Sequence, residues 1–244
     1  MYGRNAVRES LRANRRRFAE LVVSAGVTGS EGPRKIVETA QRLGATVRET
    51  GRDELDRLVS GANHQGVVLR TTPYPYASAG ELLPVAPTSM YLVLDSLQDP
   101  QNLGSLLRSA EAAGVQGVLL PEHRAAGVSP AVVNASAGAA EHLRIVTVPN
   151  LARAIETLQA EGVWAVGLEA VDRATPLWET RLDGPLAIVV GSEGEGIRRL
   201  VLERCDFVVS LPVLGHVGSL NAAVAGSIAV YEVLRRRTVS SARG

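Results

Sequence analysis

Three short stretches carry the side chains with the types and spacing to do chemistry. Asn102 and Arg108 flank Gly104 in DSLQDPQNLGSLLRS, where Gly104 is expected to open a helix that carries Arg108 toward whatever the loop holds. Glu193 stands among Gly191, Gly194 and Gly196 in VVGSEGEGIRR, and glycines there let a backbone approach a ligand closely. In LPVLGHVGSLNAAV, Leu211 and Leu220 bracket Gly215 and Gly218, with Ser219 and Asn221 at the end. Ser219 is placed to cap a small-residue helix, whose open N–H groups suit a polar or anionic ligand. Each stretch alone also fits a plain reading: a surface arginine on a capped helix, a glycine turn, a core helix packed through Ala222, Ala223 and Ala225. The second stretch lacks both the dinucleotide G-x-G-x-x-G pattern and the lysine of a phosphate-binding loop.

Other chemistries find little support. His64, His123, His142 and His216 are scattered, and no cluster has metal-ligand spacing, so no metal is expected. Cys205 is the only cysteine, which excludes an internal disulfide, and its setting ERCDFVV reads as a core position at a helix–strand joint. The net charge is +1, but Lys35 is the only lysine and arginine carries nearly all the positive charge. Arginine grips phosphate with a planar fork that lysine lacks, although genome composition also explains the bias. Arg4, Arg8 and Arg12 fall four apart on a first helix and Arg15, Arg16 and Arg17 follow, with Glu9 as the one acid among them. That density exceeds what solubility needs, and we expect an RNA-phosphate surface there; a solvated face is the alternative. No apolar run reaches membrane length and the start MYGRNAVRES has no apolar signal core, so a cytoplasmic protein is expected.

The elements that must position these residues fall into two groups. The first third reads α-β-α-β-α-β, with helices at 3–13, after Pro33 and at 53–59, and strands at 21–24, 45–49 and 67–71. His64 and Gln65 lie in a turn, where a structural role outweighs RNA contact. A proline-rich linker covers 72–89; Tyr74 and Tyr76 within it suit packing on a neighbouring domain better than base stacking. Beyond it, strands at 91–95, 117–120, 144–148, 163–168, 186–190 and 207–211 alternate with helices at 103–113, 130–141, 151–161, 197–205 and 220–237. Apolar strands separated by helices make a parallel sheet covered on both faces, whose ligands bind beyond the carboxyl ends of the strands. All three stretches fall at such ends.

In this order and at these places, N-x-G-x-x-x-R, G-S-E-G-E-G and L-P-x-x-G-x-x-x-S-L-N resemble the three motifs of the SpoU (TrmH-type) branch of the SPOUT RNA methyltransferases. The YGRNAV start and HQG turn resemble the L30e-like substrate-binding domain of the bacterial 23S rRNA guanosine 2′-O-methyltransferases, and SAGAAEH at 136–142 and VPNLARAI at 148–155 match that subgroup. The resemblance implies an α/β chain with an L30e-like RNA-binding domain at 1–71, a linker at 72–89 and a SPOUT domain at 90–244. A C-terminal trefoil knot over about 186–237 is also implied, where patterning alone points to an unknotted doubly wound sheet. It implies S-adenosyl-L-methionine held by Gly191, Leu211 and Leu220, with Asn102, Arg108, Glu193, Ser219 and Asn221 in catalytic and substrate-orienting positions, and a homodimer acting on RNA, 23S rRNA foremost. Two departures, Ala222-Ala223 where relatives often have Val-Ser and Gly218 for a common Ser, spare every named position. Competing readings are a tRNA or thiopeptide-resistance-type rRNA substrate, a non-catalytic ribosome-assembly factor, and a small-molecule Rossmann enzyme. The intact motif residues and the missing dinucleotide fingerprint speak against the last two.

Overall fold

The computed structural model describes residues 1–241. Two compact units emerge: Met1–Pro75 with Val128–His142, and Tyr76–Gly127 with Leu143–Gly244. The first unit therefore recruits a segment that sequence order places well past the expected linker.

In the first unit, α1 (Arg4–Ala13), β1 (Phe18–Ser24), α2 (Glu31–Arg42), β2 (Thr46–Thr50), α3 (Arg52–Leu58) and β3 (Val67–Thr71) follow in order. The sheet runs β2-β1-β3, with β1 parallel to β2 and antiparallel to β3. Helix α1 buries Val7 and Leu11, which with Ile36 and Ala40 of α2 cover Leu21, Val23, Val67 and Leu69 on one sheet face. Leu55 of α3 packs on Val22 and Val68 on the other. The HQG turn is structural. Gln65 Oε1 accepts from Arg4 N at 2.9 Å and so caps α1 from outside, since Gly3 has no side chain to do it. His64 Nδ1 accepts from Gly66 N at 2.9 Å, which leaves the ring proton on Nε2, 3.1 Å from Asp56.

The second unit continues with β4 (Met90–Leu94), α4 (Pro100–Ala112) and β5 (Gly117–Pro121); α5 (Pro130–Ala135) belongs to the first unit. Then come β6 (Ile145–Val148), α6 (Leu151–Ala160), β7 (Trp164–Leu168), the two-residue β8 (Thr175–Pro176), β9 (Leu186–Val190), α7 (Arg199–Leu202), β10 (Phe207–Ser210) and α8 (Ala222–Ser241). Seven strands form one sheet in the order β6-β5-β4-β9-β7-β10-β8, with every pairing parallel. Strands β4, β5 and β9 are buried along their whole length, as unbroken apolar runs require when both faces are covered. Tyr91, Val93, Ala187 and Val189 face Leu151, Ile155 and Val201, while α4 and α8 pack on each other, with α8 also against β9. Gly226 of α8 lets that contact close, because a Cβ there would sit 3.0 Å from Leu106 and 3.1 Å from Val190.

The chain lays β4, β5 and β6 outward in one direction, then places β7 beyond an empty slot that β9 fills later. Loops leaving β4, β9 and β10 consequently meet at one end of the sheet.

Several expected boundaries move. The helix expected over 130–141 ends at Ala135, because Ala137 and Gly138 take φ of 52° and 91°; a short 3-10 turn, Ala139–His142, follows. The helix expected over 197–205 shrinks to Arg199–Leu202. Within the expected linker, Leu82 is buried beneath β4 and β5, with Tyr91 Oη donating to its carbonyl at 2.8 Å. Tyr74 is buried too and donates to the Ala140 carbonyl at 3.0 Å, which closes its ring to base stacking.

Candidate active site

Helix α8 begins at Ala222, so Ser219 is not its cap. Asn221 takes that place: its Oδ1 accepts from Val224 N at 3.1 Å and its carbonyl from Ala225 N at 2.9 Å. The amide nitrogen of the same side chain faces outward. It donates to Asn102 Oδ1 at 3.0 Å and also to Glu193 Oε1. Asn102 Nδ2 reaches the same Glu193 oxygen at 3.1 Å. One residue from each stretch thus joins in a closed polar triangle. Asn102 holds its place because α4 starts earlier than expected, at Pro100, with Asp99 capping by accepting from Gln101 N at 2.9 Å.

Beside the triangle lies a cleft of about 390 Å³, lined by Gly191, Glu193, Leu211, Ser219, Leu220 and Asn221 among others. Its size lies within the range of small-molecule sites, and its walls mix apolar side chains, glycine backbone and a few polar side chains. Gly191 is constrained by its own loop. A Cβ there would lie 2.1 Å from Gly196 C, and Ser192 and Gly196 bond each other's backbones at 3.1 and 3.0 Å.

Two carboxylates that sequence reading passed over anchor this loop. Glu169, at the end of β7, accepts from Ile197 N at 2.7 Å and lines the cleft. Asp95, at the end of β4 and fully buried, accepts from Arg198 N at 2.8 Å and Arg198 Nε at 2.7 Å. An acidic residue closing an apolar strand at its carboxyl end was the available signal.

Residues 89–231 match the SpoU rRNA Methylase family, and residues 1–77 match the family described as RNA 2′-O ribose methyltransferase substrate binding. A putative TrmH family tRNA/rRNA methyltransferase of Bacillus subtilis, YacO, is 41% identical over 241 residues, covering 96% of this chain and 94% of the relative. The chain belongs to the SpoU family. A putative TrmH family tRNA/rRNA methyltransferase of Staphylococcus aureus MRSA252 is 40% identical over 239 residues, covering 96% and 95%. Among solved structures, the SpoU methyltransferase AviRb of Streptomyces viridochromogenes, in complex with AdoMet, superposes with a TM-score of 0.83 at 23% identity, covering 98% of this chain and 90% of that one. The protein is an RNA methyltransferase of α/β fold, as its motifs imply.

Within this SpoU chain the eight expected catalytic and cofactor positions divide. Gly191, Glu193, Leu211, Ser219, Leu220 and Asn221 line the cleft, and Asn102 joins them through the triangle. Arg108 does not. It lies on the exposed stripe of α4 with Gln101 and Ser105, and among the described residues it makes no hydrogen bond or ion pair. Six residues on from Asn102, at ~100° per residue, it faces another side of the helix.

The arginines of the first unit divide as well. Arg16 is not open to phosphate: its side chain is 6% exposed and grips the fully buried Glu141 through two nitrogens. Arg15 donates to the carbonyls of Glu141 and Pro75 at 3.2 Å each, and both guanidinium groups lie over the Tyr74 ring. Burial raises the Tyr74 hydroxyl to about 12 against the opposing pull of Arg15 and Arg16, with the Glu141 charge adding to the rise. Arg4, Arg8, Arg12 and Arg17 remain exposed. Cys205 packs on Gly167, and burial, with the Asp206 charge, pushes its thiol up to about 12, so it offers no thiolate.

Proposed function

We propose that this SpoU chain transfers the methyl group of S-adenosyl-L-methionine to the 2′-hydroxyl of a guanosine ribose in 23S rRNA, working as a cytoplasmic homodimer. The observation that carries the reading is the triangle of Asn102, Glu193 and Asn221 at the rim of a cleft sized for the cofactor. When bound, the cofactor supplies a methyl group on an excellent leaving group, so the protein's task is alignment.

Leu211 and Leu220 flank the cleft and suit the adenosine portion, and the backbone around Gly191 suits its polar edge. Glu193 accepts from two carboxamides, which fixes its carboxylate as an acceptor for a ribose hydroxyl. Ser219 adds a second hydroxyl-sized contact from the neighbouring loop. Arg108 completes the set by gripping the adjacent RNA phosphate, which then helps take the hydroxyl proton as the oxygen–methyl bond forms and the sulfur–methyl bond breaks. A base-like role for Arg108 itself is the alternative and an unusual one, since a guanidinium must first lose its own proton to accept another. Because Arg108 lies outside the cleft of its own chain, a second protomer is the economical way to bring it there. The half-exposed Leu220, Val224 and Tyr231 around the start and outer face of α8 support such a contact. A trefoil knot over about 186–237 belongs to the same reading, supported by the late insertion of β9 between β4 and β7.

The test is methyl transfer from labelled cofactor to separated 23S rRNA, 16S rRNA and tRNA, with nucleoside analysis of the product. The reading expects 2′-O-methylguanosine in 23S rRNA, lost in Arg108→Ala with cofactor affinity retained. Label in tRNA alone moves the substrate, and label in no RNA overturns the activity. Since the relatives are named tRNA/rRNA methyltransferases, tRNA is the reading that stands second.

A further inference from the structure

Helices α1 and α2 enclose a groove of about 470 Å³ on the first unit, separate from the cleft just described. Its walls carry Arg4, Arg8 and Arg12 from α1 and Lys35 from α2, and no carboxylate is among its lining residues. The chain's only lysine thus faces the three-arginine ladder. The floor is apolar, formed by Leu11, Pro33 and Ile36. At the mouth, Ser30 and Gly32 lie at the start of α2, where the Ser30 side chain makes no capping bond.

The cations are held in place without being neutralised. Glu9 contacts Arg8 at 2.9 Å and Arg12 at 3.2 Å, and Glu31 contacts Lys35 at 2.6 Å. The cationic side chains are 55%, 68% and 68% exposed and Glu31 is 70% exposed, while Glu9 is 14% exposed, so the Lys35 pair is weak and the two arginines keep solvent-facing N–H donors for a phosphate. Among the described residues Arg4 has no carboxylate partner; its Nε donates to the Gln65 carbonyl at 3.1 Å. Four-residue spacing repeats the arginines every ~6 Å along α1. A row of charges over an apolar floor matches a chain that alternates phosphate with sugar.

We propose that this groove is the seat of a single-stranded RNA segment, with Arg4, Arg8, Arg12 and Lys35 on consecutive phosphates and the riboses over Leu11, Pro33 and Ile36. The proposal rests on the RNA reading above and gives it a location: the first unit grips RNA between α1 and α2, and Arg15 and Arg16 take no part. An acidic protein segment is the competing occupant. Arginine's fork and the apolar floor favour RNA over it.

The experiment uses the full chain with Arg4→Gln, Arg8→Gln and Lys35→Gln combined, and Arg34→Gln as a control. Arg34 has a 64% exposed side chain on the same helix as Lys35 but is not part of the groove lining. Binding of labelled poly(U) is followed across salt concentrations, with poly-glutamate as a second probe. The triple variant should bind poly(U) at least tenfold more weakly, and its salt slope should flatten by about 0.7 per lost contact, roughly two in all. The control should keep the parental slope and affinity. In methyl transfer, the triple variant should raise KM for RNA and leave kcat and cofactor affinity alone. A parental slope in the triple variant, equal losses in the control, or tighter binding of poly-glutamate than poly(U) would each overturn the groove. Failure of the wild-type protein to methylate any RNA counts against the proposed function instead, since poly(U) binding is read without turnover.

Discussion

Asn221 donates through Nδ2 to Oδ1 of Asn102 at 3.0 Å, joining the first residue before α8 to the first turn of α4 across 119 positions of sequence. The same side chain caps α8 through its oxygen. One carboxamide therefore serves two ends at once, stability through the cap and site geometry through the amide.

These two duties separate by substitution. Asn221→Ala should lose about 1 kcal/mol from the cap together with most turnover. Asn221→Ser keeps a capping oxygen and should regain most of the stability while turnover stays low, because the donor to Asn102 and Glu193 is gone. Thermal melts and methyl-transfer rates on the two variants check this. Recovery of turnover by the serine variant would mean that the triangle is only a cap.

At Gly191 the loop itself forbids a side chain. Even Gly191→Ala places a Cβ against the Gly196–Ile197 backbone, so the bridge between Ser192 and Gly196 must open. We expect lost cofactor binding by calorimetry together with a lowered melting temperature. Lost binding at an unchanged melting temperature would instead point to a direct clash with the ligand.

Arg16 belongs to the fold. Removing it strands a fully buried carboxylate that Ser10 Oγ also approaches, at 3.2 Å. Arg16→Gln should cost about 3–5 kcal/mol, and adding Glu141→Gln should recover much of that by neutralising the orphaned group. Urea unfolding of the single and double variants measures both. A single variant as stable as the parent would return Arg16 to the RNA-binding set.

Glu232 supplies a pH signature. A hydrogen bond from Arg235, reinforced by Arg236 against the cost of burial, holds its carboxyl at about 2. Arg236 in turn donates to the carbonyls of Leu177, Trp178 and Thr180. A carboxylate with a depressed folded value stabilises in full above the unfolded value, ~4.3, and the contribution fades as pH falls toward the folded one. The parent should therefore lose more stability than Glu232→Gln between about pH 4.5 and 2, and the variant should be the less stable at pH 7. Parallel urea midpoints across that range would remove Glu232 from the account.

Local pattern determined a good deal here. Unbroken apolar runs such as LAIVV mark strands covered on both faces, and the helices between them force a parallel sheet. The three motif stretches lie at strand ends by sequence position alone, and their residues carry the family resemblance without any tertiary information. Tertiary structure decided which of those residues meet. The late placing of β9 between β4 and β7 brings Glu193 to Asn102, and nothing in the composition of either stretch encodes that neighbour order. It also chose Asn221 over Ser219 as the cap: both are good capping residues, and only the contacts of Asn221 with α4 and the Gly191 loop distinguish them. Six arginines look alike along the chain, yet Arg16 turns inward to Glu141, 125 positions away, while Arg4, Arg8 and Arg12 face a groove. A buried ion pair between distant segments leaves no periodicity in either one, because its partner is set by packing rather than by local backbone geometry.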